Sequence, residues 1–429
     1  MTMPHALIQL LVLALICLAA PHPAAVAGAN DWTRFRGPNG SGIGLATNLP
    51  SSWTERDYRW KVALPGVGHA SPVICGDKVF VVSGEKSSAK RFVTCLKERD
   101  GAVLWNNAYE SSTFAEHRDN SYGTSTPAVD DQRVFVYWTT PGEIAVLALD
   151  HTGRQLWRRN LGPFKSQHGS GTSPMLVGDL LVVGNDQEGP SSLFGLEAAT
   201  GATRWEVKRR TDRVAYSTPL LRPTGSGVEL VFTSSAHGMT GIDPASGRVN
   251  WELTNAFPFR VVGSPILSDD LIVGSCGEGG VGRRLVAVRP PAAGPPARTV
   301  YEFKNNLPYV PTPLAQDGLL FLWSDSGQVA CHRLGSGELV WREKLSDSFY
   351  GSPVWAEKRL YGVSKNGVVY VLSATEKYEL IAALPLGEPS FATPAIAHNA
   401  LFLRTASQLI CIGGREADGA GAGLPPNKR

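Results

Sequence analysis

The residues of this chain with the most chemical reach recur at one place in a repeat. Just upstream of eight Ser/Thr-Pro dipeptides stand His69, Tyr122, His168, Arg213, Arg260, Tyr309, Tyr350 and Phe391. All are aromatic or cationic, whereas the apolar runs that follow them are bland. Aromatic faces and guanidinium groups gathered around one opening suit an anionic ligand or an acidic peptide segment. The same side chains can equally stack on one another and plug that opening. His69, Tyr122, His168, Arg213, Arg260, Tyr309 and Tyr350 are therefore the candidate ligand- or partner-binding residues, with both readings open.

Elsewhere the chain offers little chemistry. There is no H-E-x-x-H, no P-loop and no G-x-S-x-G, and the nine His are scattered without ligand spacing. Gly169-Ser-Gly171 and Gly277-Glu-Gly-Gly280 open no helix, so they do not read as phosphate cradles. Asp119-Asn120 and Asn185-Asp186-Gln187-Glu188 carry oxygen ligands of the type Ca²⁺ takes. Acidic loops between strands are commonplace, however, and these read as solvated turns. No catalytic residue and no metal site is expected. A net charge of +3, from 41 Lys and Arg against 38 Asp and Glu, gives no basic field for a nucleic acid.

The elements that must position these residues follow from two repeated signatures. Ser71-Pro72, Thr126-Pro127, Ser173-Pro174, Thr218-Pro219, Ser264-Pro265, Thr312-Pro313, Ser352-Pro353 and Thr393-Pro394 recur at intervals of 55, 47, 45, 46, 48, 40 and 41. Gly-x-x-x-Trp recurs in phase, ending at Trp105, Trp157, Trp205, Trp251 and Trp341. Where a copy is missing, Tyr301 and Phe303 stand near the Trp position. Each unit holds four short apolar runs joined by tight turns such as Gly178-Asp179 and Asn366-Gly367. Four antiparallel strands about every 45 residues is the pattern of a β-propeller blade, so the fold class is all-β, an eight-bladed propeller.

The eighth unit stops after Leu409-Ile-Cys-Ile412 without a Trp strand. The missing strand lies at the other end, in Tyr58-Arg-Trp60-Lys-Val-Ala-Leu64, which is predicted to close the ring and leave no open terminal blade. Trp60, Trp105, Trp157, Trp205, Trp251 and Trp341 then read as structural wedges between neighbouring blades. Aligned third strands put Cys95, Cys331 and Cys411 where other units have Ala148, Gly195, Gly241 and Ala287, which makes them small core residues. Cys75 and Cys276 have no assigned role.

The unit S-P…(A/G)-(L/I)-(D/E)-x-x-(T/S)-G-x-x-x-W resembles the repeat of pyrroloquinoline quinone (PQQ)-type propellers, over nearly the whole chain after the first segment. That resemblance implies the fold. For function it spans quinoprotein dehydrogenases and non-catalytic scaffolds such as the propeller lipoprotein of outer-membrane β-barrel assembly. The segment Asp31-Trp-Thr-Arg-Phe-Arg-Gly-Pro-Asn-Gly-Ser-Gly42, with Gly162-Pro-Phe-Lys-Ser-Gln-His-Gly169, resembles secreted bacterial PQQ-like propellers. A dehydrogenase of this resemblance would carry adjacent cysteines over the quinone, a calcium site and in some cases a haem-attachment C-x-x-C-H. The chain has no Cys-Cys and no C-x-x-C-H.

The expected organisation is a signal peptide over 1–27, an N-terminal arm over 28–57, the propeller over 58–413 and a flexible tail over 414–429. The apolar run of residues 6–20 is too short for a bilayer-spanning helix, which needs about 20 residues. Pro21 and Pro23 follow it, and Ala25-Val26-Ala27 reads as a cleavage site. The chain is thus expected to be exported, periplasmic or secreted, and monomeric, with no membrane-spanning segment in the mature protein. The favoured function is a non-catalytic scaffold that binds a protein or envelope component and needs no cofactor. The alternatives are a PQQ- and Ca²⁺-dependent dehydrogenase with degenerate contacts, and a glycan-binding propeller.

Overall fold

Runs such as Leu180-Leu-Val-Val183 are too short to be helices, and their β-branched, two-sided apolar character suits strands buried on both faces. The computed structural model describes residues 28, 30–225, 227–292 and 296–413. The segments read as signal peptide and tail lie outside the described residues. The regular elements of the described chain are eight four-stranded antiparallel sheets and two single-turn 3-10 segments, Pro38–Gly40 and Glu55–Asp57. Seven sheets take their strands in sequence order. Blade one, for instance, holds Val73–Cys75, Lys78–Gly84, Arg91–Lys97 and Val103–Tyr109. Innermost strands of neighbouring blades lie side by side, including those of blades eight and one, which makes the array a closed ring.

Blade eight joins the two ends of the chain. Ala395–Ala397, Ala400–Arg404 and Gln408–Gly413 supply three strands, and Tyr58–Ala63 pairs antiparallel with the third, Trp60 opposite Cys411.

Two interactions repeat around the ring. The first is a belt at the inner ends of the blades. Each proline removes a backbone donor, and at six of the eight seams the N–H of the Ser or Thr before it turns sideways to the hydroxyl of the next blade. Ser71 donates to Thr126 Oγ1 (2.9 Å), Thr126 to Ser173 Oγ (3.0 Å) and Thr218 to Ser264 Oγ (2.9 Å). Ser264 continues to Thr312 (3.0 Å), Thr312 to Ser352 (2.9 Å) and Ser352 to Thr393 (2.9 Å).

The second is the Trp dock. Trp60, Trp105, Trp157, Trp205 and Trp341 each donate Nε1–H to a backbone carbonyl of the next blade: Glu98, His151, Ala198, Pro244 and Thr375, at 2.8–3.0 Å. For Trp60, Trp105, Trp157 and Trp205 the ring lies on the turn glycine of that next blade, whereas the blade-seven turn under Trp341 has none. These glycines hold φ of +72° to +87°, and a Cβ on Gly101, Gly153, Gly201 or Gly247 would come 2.7–2.9 Å from the indole. Glycine is thus required there twice, for backbone and for space. Tyr301 substitutes in blade five, its hydroxyl donating to Leu334 O at 2.7 Å. Directly opposite each Trp, the third strand carries a small residue: Cys95, Ala148, Gly195, Gly241, Cys331 and Cys411. A β-bulge follows each of these pairs and turns the outer strand so that the indole reaches across to the next blade. All five described cysteines are free and buried.

Trp251 departs from the pattern. It packs among residues of blades four and five, but its Nε1–H donates to Glu229 Oε1 of its own blade at 2.8 Å. The neighbouring turn lacks the Gly-x-x-x-Trp signature, and Arg222, paired with Glu229, reaches Pro291 O there instead.

The Trp docks predict a steep stability cost. Trp205 is 7% exposed, and Trp205→Ala is expected to destabilise the protein by about 3–5 kcal/mol. Equilibrium denaturant unfolding of the variant against wild type is the measurement, and a loss near zero would mean that the indole does not hold the blades together.

Candidate functional site

The belt fixes height. Because each Ser/Thr is held at the same level in the ring, the residue two positions before it occupies the same level in the next layer up. Those residues are His69, Thr124, Gly171, Tyr216, Val262, Val310, Tyr350 and Phe391, one from each blade. All eight line one cavity of about 320 Å³ at the centre of the ring.

Of the sequence-predicted residues, His69, His168, Arg260, Tyr309, Tyr350 and Phe391 line this cup. Tyr122 and Arg213 do not, which corrects the expectation that they share the opening. The Tyr122 hydroxyl closes a loop by bonding Phe114 N (3.1 Å) and Phe114 O (2.8 Å), and its ring lies 4.6 Å from the Arg91 guanidinium. Arg213 lines a separate groove with Thr211 and Asp212, 3.8 Å from Glu278. Arg260 and His168 stand at the same offsets from Ser/Thr-Pro, four and five residues, and do line the cup, so beyond two residues the offset does not decide where a side chain goes. Tyr216 takes the blade-four place instead. A fixed offset of two residues was the usable signal. Gly171 makes room for Tyr216, since a Cβ there would lie 2.9 Å from its ring.

One wall of the cup is aromatic. His69 stacks on Phe391 (4.5 Å, 27°), and Tyr350 meets Phe391 edge-on (5.9 Å, 65°). Lys365 lies over the Tyr350 ring at 4.3 Å and pairs with Asp119 at 3.0 Å. The other wall carries His168, Arg260, Tyr216 and Tyr309. Arg260 is pinned by a backbone bridge in which Gly277 N–H donates to its carbonyl at 2.9 Å. Asp325 stands behind this wall and accepts the N–H groups of Tyr309 (2.7 Å) and Val310 (3.2 Å), and burial pushes its carboxyl up to about 7. The rim is the loop between blades one and two, where Asn120 donates to His168 O (2.7 Å) and Ser170 O (3.1 Å).

The floor comes from the N-terminal arm, a contribution that sequence reasoning missed. The arm pairs with innermost strands downstream of the belt, at the opposite end of the channel from the cup. Trp32 exchanges two backbone bonds with Ile74 of blade one, and Val129 of blade two donates to Thr33 O. Arg34 reaches Met175 Sδ (3.0 Å) and Pro219 O (2.6 Å) in blades three and four. Arg36, fully buried, donates to Pro313 O (3.0 Å) and Pro353 O (2.9 Å) in blades six and seven. Phe35 between them faces the cup. No carboxylate pairs with either arginine among the described residues. Burial lowers Arg36 to about 9 and Arg34 to about 10. Inner strands expose unpaired carbonyls toward the channel, and the guanidinium forks satisfy them from the axis.

These residues do not fit a calcium-held quinone. Asp186 is held by both Arg209 donors (2.9 and 2.8 Å), Asp119 by Lys365, and Asp325 by backbone amides. No group of three His, Cys, Asp or Glu side chains among the described residues is placed to hold a metal.

Burial and the nearby Arg404 cation push the His69 imidazole down to about 3, with Asp119 opposing. A base with a lowered folded pKa stays neutral in the fold while the unfolded chain protonates, so its contribution is intact above about 6.5 and is lost as pH falls toward 3. His69→Phe keeps a ring on Phe391 and removes that dependence. Between about pH 7 and about pH 5, wild type is expected to lose about 2 kcal/mol relative to the variant in urea unfolding.

Comparison with known proteins gives the same architecture. The sequence matches the family described as outer membrane protein assembly factor BamB over residues 54–215, 142–292 and 304–412. It is 24% identical over 269 residues to the outer membrane protein assembly factor BamB of Moranella endobia (strain PCIT), covering 60% of this chain and 63% of that protein. The matched region thus spans less than two thirds of that relative's length. Among solved structures, the chain is similar to BamB from Moraxella catarrhalis, with a TM-score of 0.60, 16% identity and coverage of 83% and 97%. It is also similar to the quinohemoprotein alcohol dehydrogenase from Comamonas testosteroni, with a TM-score of 0.63, 12% identity and coverage of 93% and 82%. The computationally designed Ika8 protein gives 0.60 at 11% identity. At these identities the structural likeness speaks for fold alone.

Proposed function

Because the chain belongs to the outer membrane protein assembly factor BamB family, we propose that it is an exported, non-catalytic propeller that holds a protein partner at the cell envelope. The observation that carries this reading is the family match across the blades of the ring. The site supports it. The arm crosses one end of the channel, so the centre of the ring is open to a partner from the cup end, where loops of all eight blades converge. Loops on a rigid scaffold are the usual place for recognition. The carboxylates around the cup are engaged by cations or amides, which leaves no free pair for acid–base work. No helix among the described residues is long and apolar enough to cross a membrane.

The test is fractionation and in-cell crosslinking of the tagged full-length chain. It is expected in the envelope fraction, joined to a protein of outer-membrane assembly. Recovery from the cytoplasm, or uncrosslinked, would overturn the proposal. So would alcohol- or sugar-dependent dye reduction by the purified protein with added PQQ and Ca²⁺, the outcome the dehydrogenase alternative requires.

A further inference from the structure

Among the described residues Arg260 is the one arginine lining the cup, and its partners, Glu188 and the Tyr309 hydroxyl, leave part of its donor set unused. Its Nε is buried and donates to nothing, and its Nη2 lies 3.8 Å from Glu188, beyond hydrogen-bond distance. The side chain is only 15% exposed, and its backbone is pinned to blade five at Gly277. The Tyr309 hydroxyl lies against it. The guanidinium is thus held at the cup wall with donor capacity unspent. A guanidinium's planar N–H donors match the oxygens of a carboxylate.

Across the cup stand the stacked rings of His69 and Phe391, with Tyr350 edge-on. A cationic ligand is disfavoured on this wall, because Lys365 already occupies the Tyr350 face. A cavity of about 320 Å³ is at the small end of ligand sites.

We propose that the cup binds a carboxylate carried next to a flat apolar group, with Arg260 gripping the carboxylate and the His69–Phe391 wall covering the apolar part. Two sources share that chemistry: a free aryl-substituted acid, and the C-terminal residue of a peptide. Occupancy of the cup is independent of what docks on the loops around it.

Calorimetric titration of the full chain separates the sources with two probes, 3-phenylpropanoate and the tripeptide Gly-Gly-Phe as free acid, with the tripeptide amide as control. Saturable binding of either acid, with the amide at least about tenfold weaker, is the expected result. Binding of the first acid alone assigns a small molecule, and binding of the tripeptide acid assigns a chain terminus. Arg260→Gln is expected to weaken binding by about ten- to a hundredfold with an unchanged melting temperature, and Arg260→Lys to restore part of it. Glu188→Gln, which leaves Arg260 intact and removes its competing carboxylate, is expected to tighten binding a few-fold. That variant keeps the test open should Arg260→Gln fail to fold. Absence of saturable binding by both acids, an amide that binds as well as the acid, or affinity unmoved by Arg260→Gln or Glu188→Gln would overturn the proposal.

Discussion

The lateral hydrogen bond from a Ser/Thr N–H to the next blade's hydroxyl, made at six of the eight seams, is the constraint on which the rest of the ring depends. Proline prevents the next residue from donating, so the inner strand cannot begin its ladder at once, and the preceding N–H is free to turn sideways. The hydroxyl both accepts from the neighbour and keeps its own proton, which is why Ser and Thr serve equally. Six such links at 2.9–3.0 Å hold the blades at common height. The Trp docks do the same at the outer radius. Between these two circles the blades have little freedom to shear, and the cup inherits its shape from that rigidity.

The arm solves a problem that the ring creates. Eight innermost strands each present a free edge to the axis, and such edges are otherwise sites of unwanted pairing. Arg34 and Arg36 meet them with planar, multiply donating groups. Leaving water is costly for a guanidinium, as the lowered pKa of Arg36 records, but its donors are satisfied: Nε by Gly40 O, Nη2 also by Ser41 O. The arrangement is one of hydrogen bonding without a counter-ion, in which carbonyl dipoles from several blades share the positive charge.

Blade number, the ring-closing strand and the small residues opposite each Trp were legible in the sequence because they repeat in phase. Cys411, Cys95 and Cys331 align with Gly195 and Ala148 by repeat position alone, since a period of two fixes which residues face each other across a ladder. The cup was half legible. His69, Tyr350 and Phe391 keep the two-residue offset, while Tyr122 and Arg213 sit in loops whose lengths differ from blade to blade and carry no period to read. Tyr216 has only its offset to mark it, whereas Arg213, in the same loop, carries a charge that draws the eye as a ligand. The arm was illegible for the same reason: Asp31 to Gly42 occurs once, and its contacts with Pro219, Pro313 and Pro353 span some of the longest separations in the chain. Trp251 fits its repeat in sequence, yet its partner turn is missing, so only the three-dimensional neighbour could show that Glu229 accepts the hydrogen bond of the indole N–H.

Ring closure by the strand at Tyr58–Ala63 has a consequence for the order of events during biosynthesis. A ribosome delivers that strand before blades one to seven, whereas its partner Gln408–Gly413 emerges after them. Pairings of such high sequence separation are slow to nucleate. The early strand, with Trp60 on it, therefore waits unpartnered while seven blades form, and an interrupted chain retains an open blade at each end of the array. Completion is all-or-none at the final strand, so truncated products carry exposed edges that invite aggregation and proteolysis.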